Sequence, residues 1–483
     1  MATLLDALDA AVNHHMAGRT DAAERNYRLI LGVDPAQPDA LHLLGVLRAQ
    51  TGQPDPAVAL LTRSVRVRPG APQPWAHLAG ALRTAERPDE AERVVRRALA
   101  LDPASADALD ILGATLHALA RYPQAADWLH RANALRPGHP ETLLNLGTVL
   151  RDQRRFDEAD RVFDVALARH PSNAAIHLAR AVGRLVRGDL IGGWEGFEHR
   201  WRRLPAPPWA GEPLNGATIL LHMEQGFGDA MQFVRYAPLV ARAGGRVVVE
   251  ASPALFRLFQ ASLDPSIAVL VRGPEPPPHD HHCPLMSLPR AFGTDLGSVP
   301  APIPYLMPER GDRNLWRDRL AEGPEGLRVG LVWAGNPRHR NDRNRSLPVA
   351  ALRPLVNVPG VRFISLQVGE ARSALATLAP DAAVEDPMDR VRDFADTAAI
   401  LANIDLLISV DTAVVHLAGA MGVPVWLLLP HAPDWRWLLN RDDSPWYPSL
   451  RLFRQPRPGD WETTLGRVAA TLRAHAHQPA DPA

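Results

Sequence analysis

A glycine loop that ends in an aspartate is the first place in the sequence where chemistry could be done. Gly226-Phe227-Gly228-Asp229 follows the apolar run 218–222, which has the character of a short strand. Open parallel sheets bind ligands beyond the carboxyl ends of their strands, so Asp229 is a candidate general base. The alternative is that Asp229 caps the helix that follows. The same loop supplies four further candidates for a cleft: Glu224, Gln225, Gly226 and Gly228.

The charged residues limit the chemistry that this chain can perform. All 53 basic residues are arginines and they balance 53 acidic residues, so a lysine Schiff base is excluded and no global basic surplus suggests nucleic acid. Cys283 is the single cysteine, which excludes an internal disulfide and a cysteine-based zinc finger. The N-terminus has no basic stretch typical of a signal peptide. We therefore expect a cytoplasmic protein.

Three other motifs have simpler interpretations. The run 279–283 reads His-Asp-His-His-Cys, but its spacing is too tight for tetrahedral metal ligation, so we expect a polar strand edge or an interdomain loop and no metal. Met231 occupies the third glycine position of the dinucleotide fingerprint, so we expect no nicotinamide or flavin cofactor. The aromatic segment 433–437 is either interdomain packing or a platform beside a ligand. The long apolar stretch 406–430 contains Asp411 and Pro424, which favours strands and a helix over a membrane span.

Strand and helix patterns alternate through the last 270 or so residues, as is typical of parallel α/β folds. The first group predicts strands 218–222 and 246–250 around a helix at 230–243, and the second predicts strands and helices up to about residue 475. In that second group we predict strands at 327–333, 361–366, 406–410 and 423–429, and helices at 396–402 and from 411 onward. Gln367, directly after the strand 361–366, is a further candidate for the cleft.

The first two hundred residues repeat with a period of 34. Prolines mark the period at Pro35, Pro69, Pro103, Pro137 and Pro171. A small residue precedes each proline by twelve positions, which lets two antiparallel helices approach closely: Ala23, Ala57, Ala91, Ala125 and Ala159. This pattern predicts an α solenoid over residues 1–201, ending in a degenerate helix pair. We expect Trp194, Phe197 and Trp201 to close the last apolar face, before a proline-rich linker at 202–216.

Both halves of the chain resemble known families. The 34-residue units resemble the tetratricopeptide repeat, whose curved inner surface usually binds a peptide or protein. Residues 217–470 resemble the glycosyltransferase B fold and the heptosyltransferase-like family (glycosyltransferase family 9), on the motifs Gly228-Asp229 and Asp411-Thr412-Ala413-Val414-Val415-His416-Leu417-Ala418. The combined layout looks like the O-GlcNAc transferase and SPINDLY-like architecture. The resemblance implies two Rossmann-like lobes, 217–310 on the acceptor side and 326–475 on the nucleotide-sugar side.

The resemblance also implies a diphosphate site at the second motif. A helix that starts there would offer free N–H groups and a positive dipole end to the diphosphate of a nucleotide sugar. Asp411 is the expected N-cap, Thr412 adds a hydroxyl donor, and His416 lies one turn further along on the same face. Ala413, in the first turn, completes the expected diphosphate-binding residues. The alternative is a capping Asp-Thr pair with a packed histidine.

The family commonly places a lysine in the loop after the first strand of the second lobe, and this chain has none. Arg345, with Ser346, is the expected substitute in the arginine-rich loop 334–346, because guanidinium suits phosphate. The alternative is a solvated arginine loop.

The predicted function is an inverting, metal-independent transfer of a sugar from a nucleotide sugar to an acceptor, with a protein acceptor recruited by the repeats. No Asp-x-Asp motif occurs, and no cofactor is expected besides the nucleotide-sugar substrate. Two alternatives remain open: a repeat scaffold with an inactive glycosyltransferase-like domain, and a nucleotide-sugar epimerase of the same fold. Neither nucleic acid nor a membrane span is expected.

Overall fold

The computed structural model describes residues 3–200, 204, 206–378 and 384–477. The chain forms two compact units, Met1–Ala179 and Arg180–Ala483, and the boundary between them falls within the helix Ala174–Val186. Trp201 and linker residues 202, 203 and 205 lie outside the described residues. The remainder of the linker has no helix or strand, and Trp209 within it is buried.

Helices begin every 34 residues in two interleaved series, which confirms the predicted period. One series begins at residues 4, 38, 72, 106, 140 and 174, and the other begins at 20, 54, 88, 122, 156 and 190. The helices are α1 (Leu4–Met16), α2 (Thr20–Val33), α3 (Pro38–Gln50), α4 (Pro54–Val67), α5 (Pro72–Thr84), α6 (Pro88–Leu101), α7 (Ala106–Ala118), α8 (Tyr122–Leu135), α9 (Pro140–Asp152), α10 (Phe156–Arg169), α11 (Ala174–Val186) and α12 (Leu190–Phe197).

Small residues allow the helices of the first unit to pack closely. The five periodic alanines from Ala23 to Ala159 are each at most 2% exposed. At Gly113 a Cβ atom would lie 2.5 Å from Cγ of Leu129, so only glycine fits between α7 and α8 at that point. The periodic prolines follow the second helix of each pair by two residues, where a missing N–H costs no helical hydrogen bond.

The second unit contains two parallel sheets. The first has the order β3-β2-β1-β4 and the second has the order β10-β9-β8-β5-β6-β7, with parallel pairing throughout. In register, Thr218 pairs with Arg246 and Val329 pairs with Leu406. The strands are β1 (Thr218–His222), β2 (Arg246–Ala251), β3 (Ala268–Val271), β4 (His281–Pro284), β5 (Leu327–Val332), β6 (Val361–Ser365), β7 (Val384–Glu385), β8 (Leu406–Val410), β9 (Val425–Leu429) and β10 (Leu450–Arg454).

Helices connect these strands, as expected for a parallel α/β fold. They are α13 (Phe227–Phe233), α14 (Ala237–Arg242), α15 (Pro253–Ser262), α16 (Leu288–Ala291), α17 (Arg310–Ala321), α18 (Asp342–Arg345), α19 (Arg353–Val356), α20 (Glu370–Ser373), α21 (Phe394–Leu401), α22 (Ala413–Met421) and α23 (Trp461–Ala476). The helix predicted at 230–243 is interrupted by a 3-10 turn at Val234–Tyr236, after which Pro238 lies in the first turn of α14.

The aromatic residues of α12 differ from the prediction. Trp194 packs edge-on against Trp435 at 5.4 Å between ring centroids, and its indole N–H donates to the carbonyl of Thr294 at 2.7 Å. Phe197 also contacts Trp435. These rings therefore belong to the core of the second unit, because the bulky rings of the segment 433–437 offer them an apolar surface. The long apolar stretch 406–430 forms β8, α22 and β9, as predicted.

Candidate functional site

Each sheet of the second unit has a point where the strand order reverses. In the first sheet it lies between β1 and β4, and in the second it lies between β5 and β8. Connections on the two sides of such a point diverge, which leaves a crevice at the carboxyl ends of the strands where α/β proteins bind ligands. The loop that ends in Asp229 follows β1, and the motif that begins at Asp411 follows β8. Both predicted motifs therefore lie at topological switch points.

Gly228 brings these two motifs into contact. A Cβ atom on Gly228 would lie 2.6 Å from Cδ2 of His416 and 3.4 Å from Cα of Ala413. The first turns of α13 and α22 can pack together only because this position has no side chain. The carboxyl edges of the two sheets thus meet at residues that are about 180 positions apart in the chain.

The helix that follows β8 starts one residue later than predicted. Thr412, with φ −140° and ψ 170°, is the N-cap of α22, so the prediction that Asp411 is the N-cap was wrong. The Thr412 side chain makes no capping hydrogen bond, and its hydroxyl lies 3.3 Å from Oγ of Ser409. Asp411, Thr412 and Ala413 are partly exposed, whereas the rest of the helix to Ala420 is buried. The N–H of Val415 donates to the carbonyl of Thr412 at 3.1 Å, whereas the N–H groups of Ala413 and Val414 precede the first carbonyl that the helix could offer them.

Asp229 is held on both carboxylate oxygens. It is the third residue of α13, and its Oδ2 accepts a hydrogen bond from the N–H of Gly226 at 2.9 Å, which caps the helix. Its Oδ1 accepts from Nη2 of Arg436 at 2.5 Å. The side chain is 19% exposed, so it remains within reach of a ligand. The capping interpretation of Asp229 therefore describes a real contact, and it is compatible with a second role.

Arg436 is the site residue that sequence reasoning missed. The sequence pointed to the segment 433–437 for its aromatic residues. Its arginine instead forms the ion pair that links this segment to Asp229, in the first turn of α13. Besides Asp229, the guanidinium donates to Oε1 of Gln232 at 2.6 Å and to Oδ1 of Asp434 at 2.8 Å. The only sequence signal was an arginine between two large aromatic rings, Trp435 and Trp437, which is a common setting for a buried guanidinium.

Asp411 and Asp434 are carboxylates with different electrostatic environments. Burial and the charge of Asp434 raise the pKa of Asp411 to about 6, against the opposing charge of Arg345. Burial also acts to raise the pKa of Asp434, but the adjacent Arg436 guanidinium outweighs burial and keeps this pKa below the ordinary value. Arg436 therefore favours the ionised form of Asp434, whereas Asp411 holds a proton under mildly acidic conditions.

His416 is buried as a neutral ring. Burial, followed by the charge of Arg436, lowers the pKa of His416 to about 3. Its Nδ1 lies 3.0 Å from the hydroxyl of Tyr447, and its ring packs at 5.4 Å on Trp437. These neighbours fix the imidazole beside Gly228. At neutral pH His416 can exchange a hydrogen bond with a ligand but cannot supply a positive charge.

Arg345 and Ser346 close the loop after β5. Nε of Arg345 donates to Oδ1 of Asp342 at 3.1 Å, and Oγ of Ser346 accepts from the N–H of Gly335 at 2.9 Å. Burial and the charge of Arg345 lower the pKa of His339, while Asp434, Asp342 and Asp229 oppose that shift. This loop therefore lies near the carboxylates of the site. Arg345 is already paired, which makes it a weaker candidate for phosphate than the sequence indicated.

The remaining cleft candidates divide between surface and interior. Gln225 and Gly226 are exposed. Gln367 is buried, and its side-chain amide accepts from the N–H groups of Trp333 and Ala334 and donates to the carbonyls of Ala334 and Val368. All its hydrogen-bonding groups are engaged, so Gln367 fixes the start of the loop after β5.

Glu224 is also internal. Its side chain is 1% exposed, and its Oε2 accepts two hydrogen bonds from Arg200, at 2.7 and 2.9 Å. Burial raises the pKa of Glu224 against the charge of Arg200. Its Oε1 is buried without a hydrogen-bond partner in the described structure. Glu224 thus joins the segment after α12, through Arg200, to the loop after β1 rather than facing a ligand directly.

The histidine cluster forms part of an edge strand, as one of its two interpretations predicted. His281–Pro284 is β4, which pairs with β1. His282 lies 3.2 Å from His222 through their ring nitrogens, and Cys283 is buried. Among the described residues no three His, Cys, Asp or Glu side chains are grouped to hold a metal ion. Within the same residues we find no helix with the length and apolar character needed to cross a bilayer.

Comparison with known proteins identifies the first unit. The tetratricopeptide repeat family matches residues 72–114 and 116–182. Together with the 34-residue helix period, these matches show that about the first 180 residues are tetratricopeptide repeats. Repeats of this class stack into scaffolds for protein interaction.

Several known proteins are similar to parts of this chain in sequence or in structure. Protein FlbA of Caulobacter vibrioides is 29% identical over 333 residues, which are 63% of this chain and 56% of FlbA. The chain thus matches little more than half of the length of that relative. Similar solved structures include MamA, with 23% identity over 35% of this chain and 93% of MamA at a TM-score of 0.31. TTC0263, a thermophilic TPR protein of Thermus thermophilus, has 23% identity over 38% of this chain and 100% of its own, at a TM-score of 0.34.

Proposed function

We propose that the second unit transfers a sugar from a nucleoside-diphosphate sugar to an acceptor hydroxyl group, and that the repeats recruit a protein acceptor. The observation that supports this proposal is the contact between the Gly228-Asp229 turn and the first turn of α22. It places a carboxylate beside a helix N-terminus at two opposed switch points, which suits a reaction that transfers a group away from a phosphate. Two sheets with facing carboxyl edges also agree with the glycosyltransferase B fold that the motifs resemble.

In this reaction the N–H groups of Ala413 and Val414 at the start of α22 and the hydroxyl of Thr412 stabilise the diphosphate as its charge develops. Asp229 accepts the proton of the acceptor hydroxyl while the acceptor oxygen bonds to the anomeric carbon. The bond from that carbon to the diphosphate oxygen breaks, and the nucleoside diphosphate leaves with the electron pair. A single displacement of this kind inverts the anomeric configuration, and the residues named here perform it without a metal ion.

The test is a screen of nucleotide sugars for release of diphosphate, followed by Asp229→Asn with the active donor. Asn keeps an oxygen that can accept from Gly226, so α13 stays capped, but it cannot accept a proton. We expect turnover to fall by roughly 10²-fold or more at a temperature where circular dichroism shows the variant to be folded, since Asn also loses the ion pair with Arg436. Asp264→Asn is the control, since exposed Asp264 likewise accepts a backbone N–H, from Ser266 at 2.9 Å. An Asp229→Asn enzyme that keeps most of its turnover would refute the role of base.

Thr412→Ala tests the diphosphate site separately. Removing one hydroxyl donor should weaken binding of the nucleoside diphosphate by about 1 kcal/mol, and by more if the hydroxyl bonds to a charged oxygen. Isothermal titration calorimetry measures the change. Unchanged affinity would place the phosphates away from α22.

A second candidate function has its own support. Both oxygens of Asp229 are engaged, by Gly226 and by Arg436, which is what a purely structural aspartate would show. In that case the chain is a repeat scaffold with an inactive glycosyltransferase-like unit. The screen separates the two functions, because a scaffold neither binds nor turns over any nucleotide sugar.

A further inference from the structure

Arg436 joins the two halves of the site through three different acceptors. Its Nη2, Nε and Nη1 donate to Asp229, Gln232 and Asp434 respectively. Asp229 and Gln232 belong to α13, whereas Asp434 belongs to the loop after β9. The Arg436 side chain is only 8% exposed, and its guanidinium packs at 4.4 Å over the ring of Trp435. The aromatic contact and Asp434 fix the arginine from its own loop, and Asp229 and Gln232 are the partners that it reaches across the site.

The charges around Arg436 create a difficulty for a diphosphate. Asp229, Asp411 and Asp434 all interact with this one guanidinium, and the nearby Arg345 is paired with Asp342. A diphosphate at the start of α22 would add further negative charge to a place that already holds three carboxylates. Because like charges in a partly buried site repel strongly, the diphosphate needs a cation that changes partner.

Arg436 is placed to make that change. The guanidinium lies close to the first turn of α22, because it bonds to Asp229, whose neighbour Gly228 packs on Ala413 and His416. The next residue, Trp437, packs on the ring of His416 at 5.4 Å. A guanidinium has five N–H donors in a planar fork, and it binds phosphate oxygens in pairs. Of its three acceptors, Gln232 is fully buried, and Asp434 is 37% exposed but belongs to the same loop as Arg436. Asp229, with a side chain that is 19% exposed, is the charged acceptor on the other side of the site, beside the first turn of α22.

We propose that Arg436 exchanges Asp229 for the diphosphate of the donor, so that donor binding frees Asp229 to accept a proton from the acceptor. This inference rests on the proposed function of the second unit. It explains how a carboxylate engaged on both oxygens can act as a base, because a carboxylate that loses its guanidinium partner accepts a proton more readily. It also orders the reaction, since Asp229 is released only in the presence of the donor.

The experiment measures nucleoside-diphosphate affinity in four variants by calorimetry. A panel of ADP, GDP, UDP, CDP and dTDP first identifies the one that the wild type binds. We expect Arg436→Gln to weaken its binding by roughly 10-fold or more, as is typical for the loss of a charged hydrogen bond. Asp229→Asn should tighten binding several-fold, because Arg436 no longer has to leave a carboxylate. In the double variant Arg436→Gln/Asp229→Asn, the gain from Asn should disappear.

Two controls separate the exchange from a structural role. Arg441→Gln removes an arginine whose partner is Asp443, and its affinity should match that of the wild type. The corresponding nucleoside without phosphates should bind all variants equally. Should Arg436→Gln fail to fold, Arg436→Lys keeps the charge without the fork, and it should bind the diphosphate less tightly than the wild type does while remaining coupled to Asp229→Asn.

The outcomes distinguish this inference from the proposed function. If the wild type binds none of the panel, the proposed function fails and the exchange fails with it. If the wild type binds a diphosphate but Asp229→Asn leaves the affinity unchanged or weakens it, the exchange alone is overturned. The same conclusion follows if Arg436→Gln binds as tightly as the wild type.

Discussion

At the scale of single residues, the site carries an electrostatic cost. Asp229, Asp411 and Asp434 surround Arg436, and burial together with Asp434 raises the pKa of Asp411 to about 6. A carboxylate that is reluctant to ionise destabilises the folded state at neutral pH. Functional sites commonly carry such costs, because the arrangement that suits a ligand is not the one that suits the empty protein. The raised pKa of Asp411 therefore leads to predictions about both the stability of the protein and its binding of a donor.

Asp411→Asn should stabilise the protein at neutral pH. The pKa of Asp411 is raised from 3.8 in the unfolded chain to about 6 in the folded one, so the folded state binds the proton more tightly between these values. The free energy of unfolding of the wild type therefore falls as the pH rises from about 4 to 6, by up to about 3 kcal/mol. The Asn variant lacks this loss. Its advantage in urea denaturation should be full above pH 6 and shrink towards pH 4.

The control for this series is Asp264→Asn, where an exposed carboxylate accepts from Ser266. Hydrogen bonds from Ser266 lower the pKa of Asp264, so its replacement should bring no gain at neutral pH. A gain at Asp411 that persists unchanged at pH 4 would show that charge is not its cause.

Donor binding should depend on pH through the same residue. Ionised Asp411 repels a diphosphate at the start of α22, whereas protonated Asp411 does not. We expect a nucleotide sugar to bind several-fold more tightly at pH 5 than at pH 7.5, with a midpoint near 6. Nucleotide sugars suit this titration because both of their phosphates are esterified, and the terminal phosphate pKa near 6 is absent. In Asp411→Asn the affinity should stay flat over that range.

At the scale of the element, strands were predicted better than helix ends. The runs at 218–222 and 406–410 are β1 and β8 with those bounds, because continuous apolar residues between polar loops suit the interior of a parallel sheet. The break in the helix at 230–243 was missed, since apolar periodicity continues across Pro238. The N-cap was displaced by one residue because Asp and Thr both favour that position, and only the backbone angles distinguish them.

Gly228→Ala tests whether α13 and α22 must touch. A Cβ there would meet the ring of His416, which Trp437 and Tyr447 hold in place, and the backbone of Ala413. We expect a loss of about 1–3 kcal/mol in stability from overpacking, together with weaker binding of the nucleoside diphosphate. Gly466→Ala in α23 is the matched control. It has open space around it, so it should gain about 0.5–1 kcal/mol. Equal stabilisation of both variants would mean that the helices can separate freely.

At the scale of the whole molecule, the repeat and the α/β class were predictable from the sequence. The contacts that bring the residues of the site together were not. The period of 34 follows directly from the spacing of the prolines, and alternating strands and helices indicate a parallel sheet. The ion pair between Asp229 and Arg436 spans 207 positions and depends on how two sheets oppose each other. No local pattern encodes that contact. The prediction that Trp194 closes the solenoid failed for the same reason, because its contact with Trp435 spans 241 positions.

Deletion of residues 72–105 should leave a folded protein. This segment is one complete period containing α5 and α6, and its removal brings α7 after α4 in the position that α5 held. We expect cooperative thermal unfolding and nucleotide binding equal to that of the full chain. The control is deletion of 72–87, which removes α5 alone and leaves two helices of the second series in succession. That variant should aggregate or lose helical circular dichroism well beyond its share of residues. Equal behaviour of the two deletions would show that the period carries no structural constraint.

The regular spacing of the helix starts also bears on how genes for such proteins change. Positions that are one period apart are structurally equivalent, so recombination between any two of them adds or removes a whole repeat in frame. The starts of α11 and α12 keep the period even though α12 contributes Trp194 and Phe197 to the core of the second unit. The junction is therefore inherited intact when the upstream array lengthens or shortens. Selection can vary the binding surface of the repeats while the residues around Arg436 remain untouched.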